Sequence, residues 1–367
     1  MKFTTEKKEI VEFLQIGAAI AERRKTIPIL ANLKLVAKDN LVEITATDLE
    51  IQVKIKTEVK TIHEEGETTV SARKMSELCR TLPEGEKLEF VLKEGKLVVS
   101  SQNFHADFST LSPNDFPEIV MTDEIYSINL TSSLFKRLLN KTHFCMASQD
   151  VRYYLNGLLL EHKNSQLNAV ATDGHRLALA TKDLENKEKE TMRLILPRKA
   201  ALELSKILPE DESMLKISLG HSCIKIEDKR LDFTTKLVDG KFPDYEKVFP
   251  TGDSYKLTVL VENLRSALSR ASVLSNEKYR GVRFAIKSNS LMLTANNPEQ
   301  ETAEEKLEVE YSGLEMEIGF NIGYMLDVLN SLEEDTVNLF FFNEESSCLI
   351  REPGNDSEVY VIMPMRL

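Results

Sequence analysis

Cysteine is scarce in this chain of 367 residues, which contains only four. The four residues lie far apart and form no CxxC pair or Cys/His cluster, and this excludes the common zinc and iron–sulfur sites. We therefore interpret all of them as isolated reduced thiols, namely Cys79, Cys145, Cys223 and Cys348.

Long apolar runs are also missing. No segment approaches the roughly 18 apolar residues that a membrane-spanning helix needs. The N-terminal MKFTTEKKEI lacks the apolar stretch of a signal peptide. We therefore expect a cytoplasmic protein that makes no contact with membranes.

The sequence lacks the local patterns that mark common catalytic sites. It has no GxxxxGK(S/T) phosphate loop and no GxGxxG, HExxH or GxSxG. Its six histidines are scattered, without a second histidine at metal-ligand spacing. Asp, His and Arg crowd together only in Thr172-Asp-Gly-His-Arg176, which fits a turn with a solvent-facing histidine or, alternatively, an acid–base site. We expect a non-enzyme without metal or cofactor.

The chain is acidic overall, with 47 Lys and Arg against 59 Asp and Glu and a formal net charge of −12. This balance argues against a nucleic-acid binder, because affinity for DNA comes mainly from Lys and Arg. At roughly 100 to 200 residues per domain, the length predicts two or three domains. A hydrophobic share of 42% is enough to give each domain its own core.

The most informative positive feature is an internal repeat. Three strand-like segments end in similar turn sequences at Asp48, Asp173 and Asn297, in steps of 125 and 124 residues. Two further sets have nearly the same period: Leu30-Ala-Asn-Leu, Leu155-Asn-Gly-Leu and Arg280-Gly-Val-Arg, and then Thr81-Leu-Pro-Glu, Ile207-Leu-Pro-Glu and Ser331-Leu-Glu-Glu. Three sets of matching segments with nearly the same spacing indicate three copies of one unit.

Each copy has the same predicted content. A helix with apolar residues at helical spacing comes first, strands with alternating apolar residues follow, and a second helix precedes further strands. The second helices are predicted at about 73–82, 198–208 and 321–332. We predict an α+β fold of three tandem repeats at 1–125, 126–253 and 254–367.

Charge differs among the repeats. The first has 17 basic and 22 acidic residues, the second 20 and 18, and the third 10 and 19. Basic residues gather on or beside the predicted helices. They form either ordinary solvated helix faces or a phosphate-contacting surface that is built in several repeats and does not read sequence.

Two segments combine side chains that suit binding. Gln149-Asp-Val-Arg-Tyr-Tyr154 places an amide, a cation and two aromatic rings in one loop, which fits contact with a nucleic-acid strand or the edge of a core. The apolar C-terminal segment 359–367 begins like a last core strand, but Pro364 cannot continue that strand because it lacks a backbone donor. Its methionines suit a groove that accepts apolar peptides.

Together these residues resemble the bacterial DNA sliding clamps, the beta subunits of DNA polymerase III. The resemblance covers essentially the whole chain, in blocks such as Thr26-Ile-Pro-Ile-Leu-Ala-Asn32, Asp150-Val-Arg-Tyr-Tyr-Leu-Asn-Gly157, Ala171-Thr-Asp-Gly-His-Arg-Leu177, Ala295-Asn-Asn-Pro-Glu-Gln300 and Val361-Ile-Met-Pro-Met-Arg-Leu367. It implies tandem DNA-clamp repeats in a head-to-tail homodimer, which forms a closed ring with helices inside and sheets outside.

The resemblance also implies a function without catalysis. The ring encircles double-stranded DNA without reading its sequence and tethers the polymerase as a processivity factor. By the same resemblance, nine residues face or touch DNA: Arg24, Arg73, Arg80, Gln149, Arg152, Tyr153, Tyr154, Arg198 and Lys199.

A partner groove is implied as well, and we call its residues the candidate groove. It is expected to bind short linear motifs of the polymerase III catalytic subunit, the clamp loader, and other polymerases and repair proteins. Its residues are Leu155, Thr172, Gly174, His175, Arg176, Leu177, Pro243, Val248, Asn321, Tyr324, Ser347, Val361, Ile362, Met363, Pro364, Met365 and Arg366.

The implied dimer contact is called the candidate seam. It combines apolar side chains with acidic residues that face the first repeat of the other chain. Its residues are Lys74, Phe108, Val273, Leu274, Glu299, Glu301, Glu304 and Glu305.

Two other classes of protein remain open from the residues alone. The net charge favours a multidomain scaffold that binds proteins but not DNA. A nucleic-acid enzyme with an unrecognised site at 172–176 is the other alternative.

Overall fold

The computed structural model describes residues 1–22, 27–184 and 192–366. Within these ranges the chain has six α-helices and 26 β-strands. The elements follow one order three times: a strand leads into a helix, several strands follow, and a second helix precedes three more strands. The α+β class and the threefold repeat are confirmed.

The bounds of the elements show this repetition. The first copy contains β1 (Lys2–Glu6), α1 (Lys7–Ile20), β2 (Asn32–Lys38), β3 (Leu41–Thr47), β4 (Ile51–Glu58), β5 (Thr61–Glu64), β6 (Gly66–Ser71), α2 (Ala72–Thr81), β7 (Lys87–Lys93), β8 (Lys96–Ser100) and β9 (His105–Ser109). The second contains β10 (Tyr126–Thr131), α3 (Ser132–Asn140), β11 (Gly157–Lys163), β12 (Gln166–Thr172), β13 (Arg176–Asp183), β14 (Met192–Pro197), α4 (Arg198–Ile207), β15 (Met214–Leu219), β16 (Cys223–Glu227) and β17 (Leu231–Lys236). The third contains β18 (Tyr255–Leu260), α5 (Val261–Val273), β19 (Gly281–Lys287), β20 (Ser290–Asn296), β21 (Thr302–Glu308), β22 (Glu310–Tyr311), β23 (Met316–Asn321), α6 (Ile322–Ser331), β24 (Thr336–Phe341), β25 (Cys348–Arg351) and β26 (Glu358–Ile362).

The predicted second helices are confirmed, since α2, α4 and α6 begin and end within one residue of the expected bounds. Their apolar spacing explains the agreement. In α2 the buried positions are Ala72, Met75, Ser76 and Cys79, which lie on one face of a helix with 3.6 residues per turn. Each of these helices therefore buries one stripe and exposes the rest.

Two large antiparallel sheets cross the boundaries between the copies. One has eight strands in the order β10-β15-β16-β17-β4-β3-β2-β6, and the other has nine in the order β14-β11-β12-β13-β26-β25-β24-β18-β22. The β17–β4 pair joins the second copy to the first, and the β13–β26 pair joins the second to the third. Backbone hydrogen bonding therefore continues from copy to copy.

Two smaller sheets end in open edges. Their strand orders are β5-β1-β7-β8-β9 and β21-β20-β19-β23. Among the residues that the structure describes, β9 pairs only with β8, and β21 pairs only with β20. Each of these outer strands presents unpaired backbone groups on its other side.

The chain divides into two compact units, one of residues 1–136 and 203–237 and the other of residues 137–202 and 238–367. The eight-stranded and five-stranded sheets lie in the first unit, and the nine-stranded and four-stranded sheets lie in the second. The repeat boundaries at 125/126 and 253/254 remain a prediction.

Strand alternation is interrupted at Gln52. Gln52 should face solvent by alternation in β4, yet it is 2% exposed. Its side chain accepts from the Ile119 amide (2.8 Å) and donates to the Ile119 carbonyl (3.3 Å), so it holds the segment that leads to the second copy. Burial does alternate further along the chain, where Val309 and Tyr311 are buried and Glu308 and Glu310 are exposed, although β21 ends at Glu308 and β22 begins at Glu310.

Candidate functional site

Residues 172–176 form a tight turn between β12 and β13. The Thr172 hydroxyl donates to the Arg176 carbonyl (2.6 Å) and accepts from the Gly174 amide (3.1 Å). Asp173 Oδ1 accepts from the amides of His175 (2.9 Å) and Arg176 (3.1 Å). Gly174 has a φ of +90°, which suits glycine. The predicted turn with an exposed His175 is confirmed.

The first copy contains the same turn without His or Arg. The Thr47 hydroxyl donates to the Ile51 carbonyl (2.8 Å), and Asp48 Oδ1 accepts from the amides of Glu50 (3.0 Å) and Ile51 (2.7 Å). Leu49 has a φ of +75° in the position of Gly174. The first two copies therefore share these hydrogen bonds, whereas the histidine and arginine side chains distinguish the second copy.

Arg176 is the centre of the candidate groove's polar contacts. Its guanidinium donates to Asp173 Oδ2 (3.0 Å), Asp327 Oδ2 (2.6 Å) and the Phe144 carbonyl (2.7 Å). The Arg176 side chain is 10% exposed, and its Cζ lies 4.4 Å from the centroid of the Tyr324 ring. Two carboxylates, one carbonyl and one aromatic face thus fix a single planar cation.

Tyr324 lies between this arginine and His175. The His175 and Tyr324 rings are stacked, with centroids 6.5 Å apart and planes inclined by 20°. Asn321 caps α6 by accepting from the Tyr324 amide (3.2 Å), and its Nδ2 donates to the Tyr279 carbonyl (3.1 Å). Burial raises the pKa of the Tyr324 hydroxyl, so this ring stays neutral at ordinary pH.

The floor beside these side chains is apolar. Leu177 and Val361 are fully buried and pair across β13 and β26, and the neighbouring pair is Arg176 with Ile362. The cluster that contains Leu177 and Val361 also contains Leu159, Val170, Ile195, Phe242 and Tyr245, with Tyr154, Val248 and others packed against it.

The chain leaves the core after β26. The Met363 amide donates to the His175 carbonyl (2.9 Å), and the Met365 amide donates to the Gly319 carbonyl (2.9 Å). The five residues of β26 are buried, whereas Met363 is 38% exposed. The interpretation of the C-terminus as a last core strand is therefore confirmed, and an exposed methionine follows this strand next to the turn. That these residues accept a peptide remains a prediction.

The structure places the remaining candidate groove residues in the same compact unit. Leu155 is buried in a 3₁₀ turn at Tyr153–Leu155. Pro243 is exposed in the connector that contains Phe242 and Tyr245. Ser347 precedes β25, whose first residue, Cys348, pairs with Ile362. Pro364 is half-buried and Arg366 is exposed.

The sequence patterns did not identify several residues that contact Arg176 and Tyr245. Asp327 and Phe144 contact Arg176, and Glu161 and Asn168 hydrogen-bond Tyr245. Asp327 lies three residues after Tyr324 in α6, and this spacing places both side chains on one helix face. The other contacts join residues about 30 to 80 positions apart, for which the local sequence carries no signal.

Four of the six residues of loop 149–154 are exposed, whereas Asp150 and Tyr154 are half-buried. Arg152 donates to both oxygens of Asp150 (3.0 and 2.9 Å) and to the Asp173 carbonyl (3.3 Å). Tyr153 is 74% exposed, and Val151 is 86% exposed. The Arg152 guanidinium lowers the pKa of the Asp150 carboxyl to about 2. Arg152 thus ties this loop to the turn at 172–176.

The other residues predicted to touch DNA lie on or near helices. Arg73 and Arg80 are exposed in α2, and Arg73 forms an ion pair with Glu77 (2.7 Å). Arg198 and Lys199 begin α4, where Arg198 Nη1 donates to the Met146 carbonyl (2.8 Å). Tyr154 is half-buried and Gln149 is exposed. Arg24 lies outside the described residues.

The candidate seam residues lie in both units. Phe108 is half-buried in β9 and pairs with Leu97. Val273 ends α5 and is 78% exposed, and Leu274 follows it half-buried. Glu304 and Glu305 lie in β21, where Arg270 binds Glu305 (2.5 Å). Glu299 and Glu301 are exposed before this strand, and Lys74 is exposed in α2.

In residues 1–22, 27–184 and 192–366 there is no group of three or more His, Cys, Asp or Glu side chains that could hold a metal ion. No described helix combines the length and the apolar character needed to cross a membrane.

Three α+β copies in one chain, with sheets that join each copy to the next, define the class of the bacterial sliding clamps. A solved sliding clamp (DNA polymerase III subunit beta) from Pseudomonas aeruginosa, bound to griselimycin, matches with a TM-score of 0.95 and 42% identity over 100% of both chains. The curated beta sliding clamps of Pseudomonas putida and Escherichia coli are 43% and 42% identical, again over 100% of both chains.

Three family models match the chain in order. They describe the N-terminal, central and C-terminal domains of the DNA polymerase III beta subunit, and they match residues 1–120, 129–244 and 246–366. The chain belongs to the DNA polymerase III beta subunit family. It is therefore a non-catalytic processivity clamp, and the prediction of a non-enzyme is confirmed.

Proposed function

We propose that two copies of this chain associate head to tail and close a ring around double-stranded DNA. The ring tethers the polymerase III catalytic subunit, the clamp loader, and other polymerases and repair proteins with clamp-binding motifs. The observation that carries this proposal is the ordered match of three beta-subunit domains along one chain. The site of action is the cytoplasm, where bacterial DNA lies.

The DNA contacts are weak and non-specific in this proposal. A ring that encloses its substrate needs no sequence readout, and tight phosphate contacts would slow sliding. Several cations of the predicted set are already engaged within the chain: Arg73 by Glu77, Arg152 by Asp150 and Arg198 by a carbonyl. This partial neutralisation supports contacts that form and break quickly.

The candidate groove is the proposed docking site for partner peptides. An apolar floor at Leu177 and Val361, a stacked His175–Tyr324 pair and the exposed Met363 offer apolar and aromatic surface. A short linear motif can place apolar side chains on such a surface, and methionine can adapt to different sequences. The relative solved with griselimycin shows that a chain of this fold accepts a ligand.

The candidate seam is the proposed dimer contact. It pairs the open edge of β9 in one chain with the open edge of β21 in the other, and it covers Val273. Strand pairing satisfies the backbone groups of both edges. Exposed acidic side chains near β21 then face Lys74 and the first repeat of the other chain.

Retention on circular DNA tests the ring. The homodimer is loaded by a clamp loader onto nicked circular duplex DNA, and half of the sample is linearised. We expect long retention on the circle and rapid loss from the linear DNA, because an enclosed duplex can be left only at an end. Equally fast loss from both substrates would show that the ring proposal is wrong.

Removal of residues 363–367 tests the groove. We expect the shortened chain to lose binding to the polymerase III catalytic subunit while it keeps the sedimentation mass of a dimer. Unchanged polymerase binding would contradict the assignment of the groove.

A further inference from the structure

We propose that Tyr245 is a positioning residue for the candidate groove, and that its hydrogen bonds to Glu161 and Asn168 fix two residues of that groove, Pro243 and Val248, which we call the wall. This inference rests on the proposed peptide-binding function and deepens it. The position of Pro243 and Val248 then determines which apolar side chain of a partner the groove accepts.

The Tyr245 hydroxyl is held by a polar chain across three strands. It donates to Glu161 Oε2 (2.7 Å) in β11 and accepts from Asn168 Nδ2 (3.3 Å) in β12. Asn168 Oδ1 in turn accepts from the Thr181 hydroxyl (2.8 Å) in β13. Tyr245 and Glu161 are only 6% and 5% exposed. Directional bonds to a rigid sheet therefore define where this hydroxyl lies.

Arg193 supplies a second anchor for the same connector. Its Nε lies 3.7 Å from Glu161 Oε1. Its Nη2 lies 3.2 Å from the Phe242 carbonyl and 3.4 Å from the Pro243 carbonyl, and donates to both. Glu161 thus links the backbone at 242–243 to the side chain at 245. The connector is therefore held at residues 242–243 and again at Tyr245.

Val248 is joined to this anchor by local structure. Residues Tyr245–Val248 form one 3₁₀ turn, so a shift of Tyr245 is transmitted to Val248. The Tyr245 ring packs in the apolar cluster that contains Leu177 and Val361, and Val248 packs against the same cluster. Burial and the hydrogen bond to Glu161 raise the Tyr245 pKa. The hydroxyl therefore remains a donor at ordinary pH.

The ring and the hydroxyl of Tyr245 have different tasks. The ring fills the core and would do so equally as phenylalanine. The hydroxyl adds direction, because a hydrogen bond to a carboxylate constrains both distance and angle. Loss of the hydroxyl leaves the apolar cluster in place but releases the wall.

Peptide binding by Tyr245→Phe tests the inference. The probe is a labelled apolar pentapeptide that binds the unaltered homodimer, compared with versions in which one Leu is replaced by Phe or Ala. Binding is measured by fluorescence anisotropy. We expect affinity for the parent peptide to fall by about three- to tenfold, the range of one ordinary net hydrogen bond, and the preference between Leu and Phe to change.

Thr258→Val is the matched control. The Thr258 hydroxyl donates to Asn338 Oδ1 (2.8 Å) in the nine-stranded sheet, outside the candidate groove. The control should lower thermal stability as Tyr245→Phe does and leave peptide affinity unchanged. Glu161→Gln, which keeps an acceptor for the hydroxyl, should show a smaller effect in the same direction as Tyr245→Phe.

A double-mutant comparison separates positioning from general loosening. If Tyr245 acts through the wall, Tyr245→Phe should change affinity little in a Val248→Ala background. The inference would be overturned if the two substitutions lowered peptide affinity by independent factors that multiply in the double variant. An unchanged affinity of Tyr245→Phe would also overturn it, and neither result would contradict the groove itself. Failure to find any peptide that binds the unaltered homodimer would instead remove both the groove function and this inference.

Discussion

At the scale of single residues, Arg176 shows how one side chain can organise the proposed groove. Its planar guanidinium meets Asp173, Asp327 and the Phe144 carbonyl at the same time and lies against the Tyr324 ring. A lysine ammonium carries the same charge, but its donors all radiate from one nitrogen and cannot match acceptors that are spread around a planar guanidinium. The planar geometry of the Arg176 guanidinium, rather than its charge alone, therefore fixes these contacts.

We expect Arg176→Lys to weaken both the fold and the groove. The free energy of unfolding should fall by about 1–3 kcal/mol, because buried acceptors lose their donors. Peptide affinity should fall by about tenfold or more, since a loss of 1.4 kcal/mol is tenfold. Urea unfolding and fluorescence anisotropy measure the two effects.

Arg351→Lys is the control for this change. Arg351 also binds a carboxylate, Asp356, and lies over an aromatic ring, that of Phe340, at 4.6 Å. It belongs to no part of the candidate groove, so its replacement should leave peptide affinity unchanged. An equal loss of affinity in both variants would contradict the specific role of Arg176.

The Asp150–Arg152 pair gives a prediction about pH. Arg152 stabilises the charged carboxylate and holds the Asp150 pKa at about 2 in the folded chain, against an ordinary value of about 3.9. The contribution of the pair is therefore complete above the ordinary pKa and is lost as pH falls towards 2. Loop 149–154 should keep this contact throughout the neutral range.

An NMR titration of the Asp150 carboxyl carbon checks this expectation. The midpoint should lie at about 2 in the unaltered chain and return towards its ordinary value in Arg152→Gln. An unchanged midpoint in the variant would show that Arg152 is not the cause.

At the scale of elements, each connector between copies is held by side chains from a strand. Gln52 in β4 binds both backbone groups of Ile119, and Glu118 lies 2.7 Å from Lys54. In the second unit, Glu161 and Asn168 hold Tyr245. Strand residues that alternation assigns to solvent are therefore used to bind connectors.

We expect Gln52→Leu to destabilise the chain by about 1–3 kcal/mol, because it leaves the Ile119 amide and carbonyl without their partner. Chemical unfolding measures this loss. Thr61→Val, an exposed change in the first unit, should cost little by comparison. A Gln52→Leu chain as stable as the parent would show that the connector finds other partners.

Sequence patterns predicted the elements better than the contacts. Helical spacing in segments such as 72–79 locates α2 because one buried stripe decides the helix. The 125-residue period and the turn at Thr172 were also visible, because they depend on local residues. The burial of Gln52 and the Tyr245–Glu161 hydrogen bond were not. These depend on which distant segments meet, and alternation or propensity carries no information about that.

At the scale of the whole molecule, the distribution of charge explains how an acidic chain can surround DNA in the proposed ring. Residues 254–367 include 10 basic and 19 acidic residues, whereas residues 126–253 include 20 and 18. Acidic side chains such as Glu304 and Glu308 lie in β21 at an open sheet edge. The net charge of −12 is therefore a poor guide to the surface that meets DNA in the proposed ring.

Dimer formation gives the prediction at this scale. Val273 is 78% exposed in the single chain, so Val273→Asp should change the free energy of unfolding by less than about 0.5 kcal/mol. In the proposed seam, the same change buries an unpaired charge, which is costly, and should shift the protein towards monomers. Sedimentation equilibrium measures the shift.

Leu314→Asp is the comparison, because Leu314 is 64% exposed and belongs to no part of the candidate seam. It should leave the dimer intact. Monomers in both variants, or dimers in both, would contradict the proposed seam.

The β17–β4 and β13–β26 pairs have a further consequence for dilute solutions. Both pairs join segments of one polypeptide, so their re-formation after a local opening does not depend on how many molecules are present. The proposed β9–β21 pairs join separate polypeptides and obey mass action. Dilution alone should therefore turn rings into single chains while each chain keeps its interior junctions. The number of copies per cell then sets a lower limit below which DNA is no longer enclosed.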